Sequence, residues 1–286
     1  MRAYLDCYPC FFTQALKTSR MLNLDEKKIW EILNELSLVI PKISFGATPP
    51  EIGREVYRVI SKRTGLEDPY KEIKEKCTRQ ALSLYPELQK LKDASEDRLM
   101  TAIRLSIAGN VIDFGANTNF DLKRDLETIL SQDFAINHYP QFCEAFAQAQ
   151  NVLYIADNAG ETVFDRLLIE EIKKPVIYVV RERPVINDAT REDALYSGID
   201  EVAEIISSGC DAPGNILKFC SDDFFNIYDS SDFIISKGQG NYEGLSDEDR
   251  PIFFLLKAKC QVIARDIGVE KGSIILMKRN IGVRLS

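Results

Sequence analysis

After residue 150 the sequence repeats one pattern: a short, unbroken apolar run that ends abruptly in a polar loop. The runs lie at 152–156, 176–180, 204–206, 233–235 and 274–277. They are rich in β-branched residues, among them Val152, Ile155, Val176, Ile177, Val179 and Ile234. Continuous runs of this kind suit strands buried on both faces, whereas a strand with one wet face would alternate. Helical spacing at about 161–173, 190–196, 214–220 and 245–266 separates them. Strand and helix in alternation predict a doubly wound, parallel α/β sheet.

The first half has the other period. Asp25 is placed to cap a helix that carries Ile29, Trp30, Leu33, Leu36 and Ile40 on one face. Pro49 and Pro50 open a second helix, with Ile52, Val56, Val59 and Ile60 inward, and Gly65 closes it. Further helices are predicted over about 68–92, 96–113, 121–131 and 140–149, with no strand before residue 150. The expected organisation is an all-helical N-terminal domain of residues 1–148 and an α/β domain of residues 149–286 that carries the functional site.

Open parallel sheets bind ligands beyond the carboxyl ends of their strands. Here the strand ends run into Asp157-Asn158-Ala159-Gly160-Glu161, into Arg181 through Asp188, into Ser208 through Gly214, and into Ser236-Lys237-Gly238-Gln239-Gly240-Asn241. Asp157, Asn158 and Asp188 offer hard oxygen donors, which suit Mg²⁺, Mn²⁺ or a similar ion better than a thiophilic one. Lys237 with Gly238 and Gly240 reads as an anion cradle, a point charge beside accessible backbone amides. A metal facing such a loop suits a phosphoryl group, with the metal as Lewis acid and activator of water. Taken singly, each piece has a plainer reading. Asp157 or Asn158 with Glu161 resembles a capping box, Asp188 an N-cap, Gly238-Gln239-Gly240 a tight turn, and Asp211-Ala212-Pro213-Gly214 a turn into a helix. Their recurrence after successive strands favours a joint site. In the helical half, Asn110 and Asp113 share a helix face and either close over that site or mark a helix end beside Gly109 and Gly115.

Several function classes are excluded. A net charge of -8 lacks the basic field that nucleic-acid binding needs. No apolar run approaches the roughly 20 residues that span a bilayer, and Asp6, Cys7 and Pro9 interrupt any signal-peptide core, so a cytoplasmic protein is expected. The single histidine, His138, sits in a connector and rules out zinc sites built on two or three imidazoles within one chain. No third glycine completes a dinucleotide fingerprint after Gly238 and Gly240, and no P-loop is present. Seven scattered cysteines do not form a disulfide framework. The Cys7-Tyr8-Pro9-Cys10 pair is left as ordinary thiols, part of a structural metal site, or a redox dithiol.

Six motifs in order carry a family resemblance: Cys7-x-x-Cys10, Ala108-Gly109-Asn110-x-x-Asp113-x-Gly115, Asp157-Asn158-x-Gly160-Glu161, Asn187-Asp188-Ala189-Thr190, Gly209-x-Asp211-x-Pro213-Gly214, and Ser236 through Glu243. The chain resembles the domain-of-unknown-function-89 proteins, the metal-dependent damage-control phosphatases, and especially their small stand-alone prokaryotic members. The resemblance implies a helical domain on a Rossmann-like α/β domain, with helices on both faces of a mostly parallel sheet. It implies a divalent ion (Mn²⁺, Co²⁺, Ni²⁺ or Mg²⁺) on Asp157, Asn158 and Asp188. It further implies catalytic roles for Asp157, Asp188 and Lys237, with Lys237, Gly238 and Gly240 on the substrate phosphate. Asn110, Asp113, Glu161 and Asp211 would line the cleft. The expected substrate is a small phosphorylated metabolite, such as a sugar phosphate or a damaged or surplus phosphorylated cofactor. Alternatives are an S-adenosylmethionine-dependent carboxyl methyltransferase and a non-catalytic metabolite or metal sensor.

Overall fold

The computed structural model describes residues 1–111 and 130–279. The chain opens with three helices, α1 (Cys7–Met21), α2 (Glu26–Val39) and α3 (Pro49–Thr64). Asp25 caps α2 by accepting from the Lys28 N–H at 2.8 Å. Thr48 and Glu51 form a capping box at the start of α3, and Gly65 ends it in the left-handed region at φ 72°. These are the boundaries expected from the sequence. Two further helices follow, α4 (Lys71–Asp93) and α5 (Arg98–Val111). Asp113 and the helix expected over about 121–131 lie outside the described residues, save for the end of that stretch.

The rest is built on one seven-stranded sheet in the order β1-β7-β6-β5-β2-β3-β4. Its strands are β1 (Phe134–Asn137), β2 (Val152–Ile155), β3 (Val176–Val180), β4 (Glu204–Ser207), β5 (Ile234–Lys237), β6 (Ile252–Lys257) and β7 (Ile274–Arg279). Every pairing is parallel except β6 with β7. Two strands correct the sequence reading. β1 precedes residue 150, where no strand was expected, and β6 occupies the middle of the stretch read as a helix over about 245–266. The expected helix at about 214–220 reduces to a 3-10 turn at Leu217–Phe219.

Helices cover both faces of the sheet. On one side α5, α6 (Tyr139–Gln148) and α7 (Thr162–Ile172) bury Ile103, Phe142 and Leu168 against Tyr154, Ile235 and Phe253. On the other, α9 (Asp222–Ser230), α10 (Gly238–Leu245) and α11 (Gln261–Ile267) bury Phe224, Tyr242 and Ile263 against Leu153, Ile234 and Phe254. Each large apolar side chain taken fully out of water contributes about 1.5–3 kcal/mol. The short helix α8 (Arg191–Tyr196) follows the loop after β3.

The helices α1–α3 form their own core around Ile32, Leu36 and Ile52, and that core includes Val185 and Ile186 from the loop after β3. The N-terminal bundle therefore sits over the carboxyl edge of the sheet, and a cleft forms where the two meet. Among the described residues no helix is long and apolar enough to cross a membrane.

Candidate active site

The loops after β2 and β3 are stitched together by backbone. The Ala189 N–H donates to the Asp157 carbonyl at 2.8 Å, and the Ala159 N–H donates to the Asn187 carbonyl at 2.8 Å. Asn158 and Asp188 thereby face each other as an isolated antiparallel bridge. Neither acid serves as a cap. The cap of α8 is Thr190, boxed with Asp193, and the Asp157 carboxylate accepts from side-chain amides instead. Gly238 makes room for that carboxylate. It holds φ at 78°, and a Cβ there would collide with the Asp157 carboxylate.

Asn110 reaches the same carboxylate from α5. The Phe164 ring of α7 packs 2.8 Å from where a Gly109 Cβ would stand, so only glycine lets the two helices approach this closely. Asn110 Nδ2 then donates to Asp157 Oδ2 at 2.5 Å and to Glu161 Oε2 at 2.7 Å. Its Oδ1 is buried with no partner among the described residues. Asn158 Nδ2 donates to Asp157 Oδ2 at 2.9 Å and to Glu161 Oε2 at 3.1 Å. Asp188 Oδ2 accepts from Arg181 Nε at 2.8 Å, and Arg181 Nη2 donates to Asn241 Oδ1 at 2.9 Å. Asn241 Nδ2 in turn donates to the Ala156 and Lys237 carbonyls, each at 2.8 Å, which ties the ends of β2 and β5.

Lys237 does not lie where the sequence placed it. It closes β5 on the face that carries Ile235, since side chains two apart share a face. That face turns it inward to α5 and α7. Its ammonium is fully buried and donates to Glu161 Oε1 at 2.5 Å, Asp165 Oδ1 at 2.7 Å and the Ser106 carbonyl at 3.1 Å. Tyr154 and Tyr178 hydroxyls donate to Asp165 at 2.7 and 2.8 Å. Burial alone would lower the Lys237 pKa, but Asp165 and Glu161 outweigh it and hold it above the ordinary lysine value. This lysine spends its donors inside the protein and has none left for a phosphate.

Other expected positions are also redistributed. Glu161 is buried in the same cluster. Asp211 is ion-paired to Arg54 and Arg58 of α3, which hold its carboxyl below the ordinary value despite partial burial. Its neighbour Pro213 reaches the cleft instead. Gly240 lines the cleft, and the Pro213 carbonyl packs against its Cα. His138 accepts the Lys278 N–H on Nδ1 at 3.0 Å and has a structural place.

The cleft has a volume of about 260 Å³. Asp157, Asn158 and Asp188 form its floor, α1 and α3 one wall, and α10 with the segment after β6 the other. On that last segment stands Lys259, exposed and within electrostatic reach of Asp157, whose pKa it lowers. Lys259 is the cation that the sequence reading missed. It follows β6, and a stretch read as helix shows no strand end.

The site is short of positive charge. Among the described residues, four buried carboxylates, Asp157, Glu161, Asp165 and Asp188, face two buried cations, Lys237 and Arg181. Burial, with Glu161 and Asp188 nearby, pushes Asp157 up to about 7. Burial pushes Asp188 up to about 6, against the pull of Arg181. Two surplus negative charges, a bridged amide and an unpartnered Asn110 oxygen fit a hard divalent cation. Among the described residues no three His, Cys, Asp or Glu side chains converge as a ready cage, so a cation here would draw on two carboxylates and amide oxygen.

Comparison with known proteins decides the family. The model of the damage-control phosphatase ARMT1-like domain matches residues 3–275. The chain belongs to the damage-control phosphatase family. Within it, an uncharacterized protein of Methanocaldococcus jannaschii is 37% identical over 96% of this chain and 94% of its own length. Damage-control phosphatases of Pyrococcus horikoshii and Archaeoglobus fulgidus are 34% and 33% identical, over 97% and 94% of this chain and 98% and 96% of their own lengths. The crystal structure of a DUF89 family protein from P. horikoshii superposes with a TM-score of 0.91 at 33% identity, covering 98% of this chain and 100% of that one. The mostly parallel sheet and the N-terminal helices are thus the architecture of this family, as the resemblance implied.

Proposed function

We propose that this damage-control phosphatase-family chain hydrolyses phosphomonoesters of small metabolites, aided by a divalent ion held by Asp157, Asn158 and Asp188. One observation carries the reading: two buried, undercompensated carboxylates, Asp157 and Asp188, stand on loops that Asn158 and Asp188 bridge at adjacent strand ends, and they share a small cleft with exposed Lys259. The names of the P. horikoshii and A. fulgidus relatives support the phosphatase half of it. When bound, the ion (Mn²⁺, Co²⁺, Ni²⁺ or Mg²⁺) supplies Lewis acidity toward a phosphoryl oxygen and activates a water.

The chain's own residues do the rest. Asn110 and Asn158 hold the Asp157 carboxylate in one orientation by donating to Oδ2, and Arg181 does the same for Asp188. Preorganised groups of this kind cost no rearrangement during reaction. Lys259, with the phosphate role the sequence gave to Lys237, offsets phosphate charge at the cleft mouth. Glu243, on the same wall, has its carboxyl pushed up to about 7 by burial and can give a proton to a departing alkoxide. A cleft of about 260 Å³ suits a small metabolite rather than a macromolecule.

The test is phosphate release from p-nitrophenyl phosphate and a panel of sugar phosphates with Mn²⁺, Co²⁺, Ni²⁺ or Mg²⁺, and with EDTA. Metal-dependent release that falls by about a hundredfold or more in Asp157→Asn is expected. Metal binding without turnover would point to a sensor, and release that persists in EDTA would overturn the metal assignment.

A further inference from the structure

Cys7 and Cys10 occupy the first turn of α1, three residues apart on one helix face, and both line the cleft that holds Asp157 and Asp188. Cys260, the N-cap of α11, lines the facing wall. All three are free thiols. Two are fixed by amides: Gln14 Nε2 donates to Cys10 Sγ at 3.5 Å, and Gln239 Nε2 donates to Cys260 Sγ at 3.6 Å. None of these thiols enters the hydrolytic reading above.

The geometry points to Cys7 and Cys10 as a thiol–disulfide exchange site for low-molecular-weight disulfides, whose oxidation lowers turnover in the cleft. Three features support it. Cys10 is exposed at the mouth, whereas Cys7 is half-buried. Burial pushes the Cys7 thiol up, which leaves Cys10 as the attacking sulfur and Cys7 as the resolving one. The first turn of α1 carries both sulfurs, and the Tyr4 and Leu5 carbonyls accept from the Cys7 and Tyr8 N–H groups in place of a side-chain cap. Neighbours three apart on a helix have Cβ atoms about 5–6 Å apart, and a disulfide needs roughly 3.5–4.5 Å, so closing the bond draws the two residues together by about 1–2 Å.

The exchange balances without further reactants. The Cys10 thiolate attacks one sulfur of R–S–S–R, forming a mixed disulfide and releasing one RS⁻. Cys7 loses its proton and displaces the second RS⁻, which leaves the Cys7–Cys10 bond. Two protein thiols are oxidised, one external disulfide is reduced by two electrons, and the two protons end on the released thiols. The mixed disulfide places its adduct at a cleft of only about 260 Å³, and the closed disulfide reshapes the wall facing Asp157.

The effect on turnover rests on the phosphatase reading, whereas the exchange itself does not. The test treats the reduced, Mn²⁺-loaded full chain with glutathione disulfide and follows intact mass, peptide maps and phosphate release together. Wild type should lose two hydrogens, mapped to a Cys7–Cys10 bond and restored by dithiothreitol. Cys7→Ser should trap one glutathione on Cys10. Phosphate release should fall several-fold on oxidation and recover on reduction, while Cys7→Ser/Cys10→Ser should keep the rate of its own reduced form. Modification confined to other cysteines, a bond from Cys7 to Cys260, or equal rates for oxidised and reduced wild type would overturn the proposal. If the reduced enzyme releases no phosphate with any metal, the hydrolytic reading fails, and the mass data alone decide the exchange site.

Discussion

Two polar regions lie either side of the Asp157 carboxylate, and they are built on opposite principles. Behind it, Lys237, Glu161, Asp165, Tyr154, Tyr178 and Ser106 form a closed network in which the lysine ammonium and both Asp165 oxygens have protein partners. In front, Asp157, Asp188 and Asn158 line a cleft where Lys259 is exposed and has no ion pair among the described residues. The inner network is satisfied from within and holds geometry. The outer one is left short of positive charge, and such a deficit is what a metal and a phosphate together can fill. A lysine beside two glycines is therefore a poor guide to function until its direction is known.

The comparison is sharpest at the two lysines. Lys237→Met strips the counter-charge from two buried carboxylates, and breaking a buried pair costs about 3–5 kcal/mol. Urea denaturation should register this loss with or without metal. A Lys237→Met protein as stable as wild type would mean that the inner network is not the closed structure described.

Next in size is a pH effect on the metal-free protein. Folded values near 7 for Asp157 and near 6 for Asp188 lie above their ordinary 3.8. The folded state thus binds protons more tightly than the unfolded chain. The stability this gives is fully present below about pH 4 and is lost as pH rises through about 6–7, on the order of a few kcal/mol. Thermal unfolding of apo protein should show that decline, and saturating Mn²⁺ should flatten it. Stability that instead rises from pH 5 to 8 without metal would remove the undercompensated floor.

Lys259→Met should leave stability within about 0.5 kcal/mol of wild type, as expected for an exposed side chain. It should lower kcat/KM for p-nitrophenyl phosphate by about 10–100-fold, the 1.4–2.7 kcal/mol expected for a charge-assisted contact. An unchanged kcat/KM would return the phosphate role to another group.

Much of this was legible in the sequence, and the omissions share a cause. The loops after β2 and β3 were placed at one sheet edge because β-branched runs such as Val176–Val180 end in turn residues, and buried parallel strands require that pattern. β6 was hidden because Ile252–Lys257 lies in a long apolar stretch in which a fully buried strand and a buried helix look alike. Losing β6 as a strand also lost Lys259 as a strand-end residue. β1 is a four-residue edge strand with alternating burial, too short for its period to stand out. The error at Lys237 was one of parity: the sequence gives its position at the end of β5 but not which face it points to, and that face looks inward. The role of Arg181 likewise depends on a contact with Asp188 that only the folded loop creates.

The claim that the outer region is a divalent-metal site is tested most directly by calorimetric titration of Mn²⁺ into apo protein at pH 7.5, wild type beside Asp157→Asn/Asp188→Asn. One site per chain in wild type, absent from the double variant while its fold is retained by circular dichroism, is the expected result. Equal Mn²⁺ binding by both proteins, or none by wild type, would contradict it.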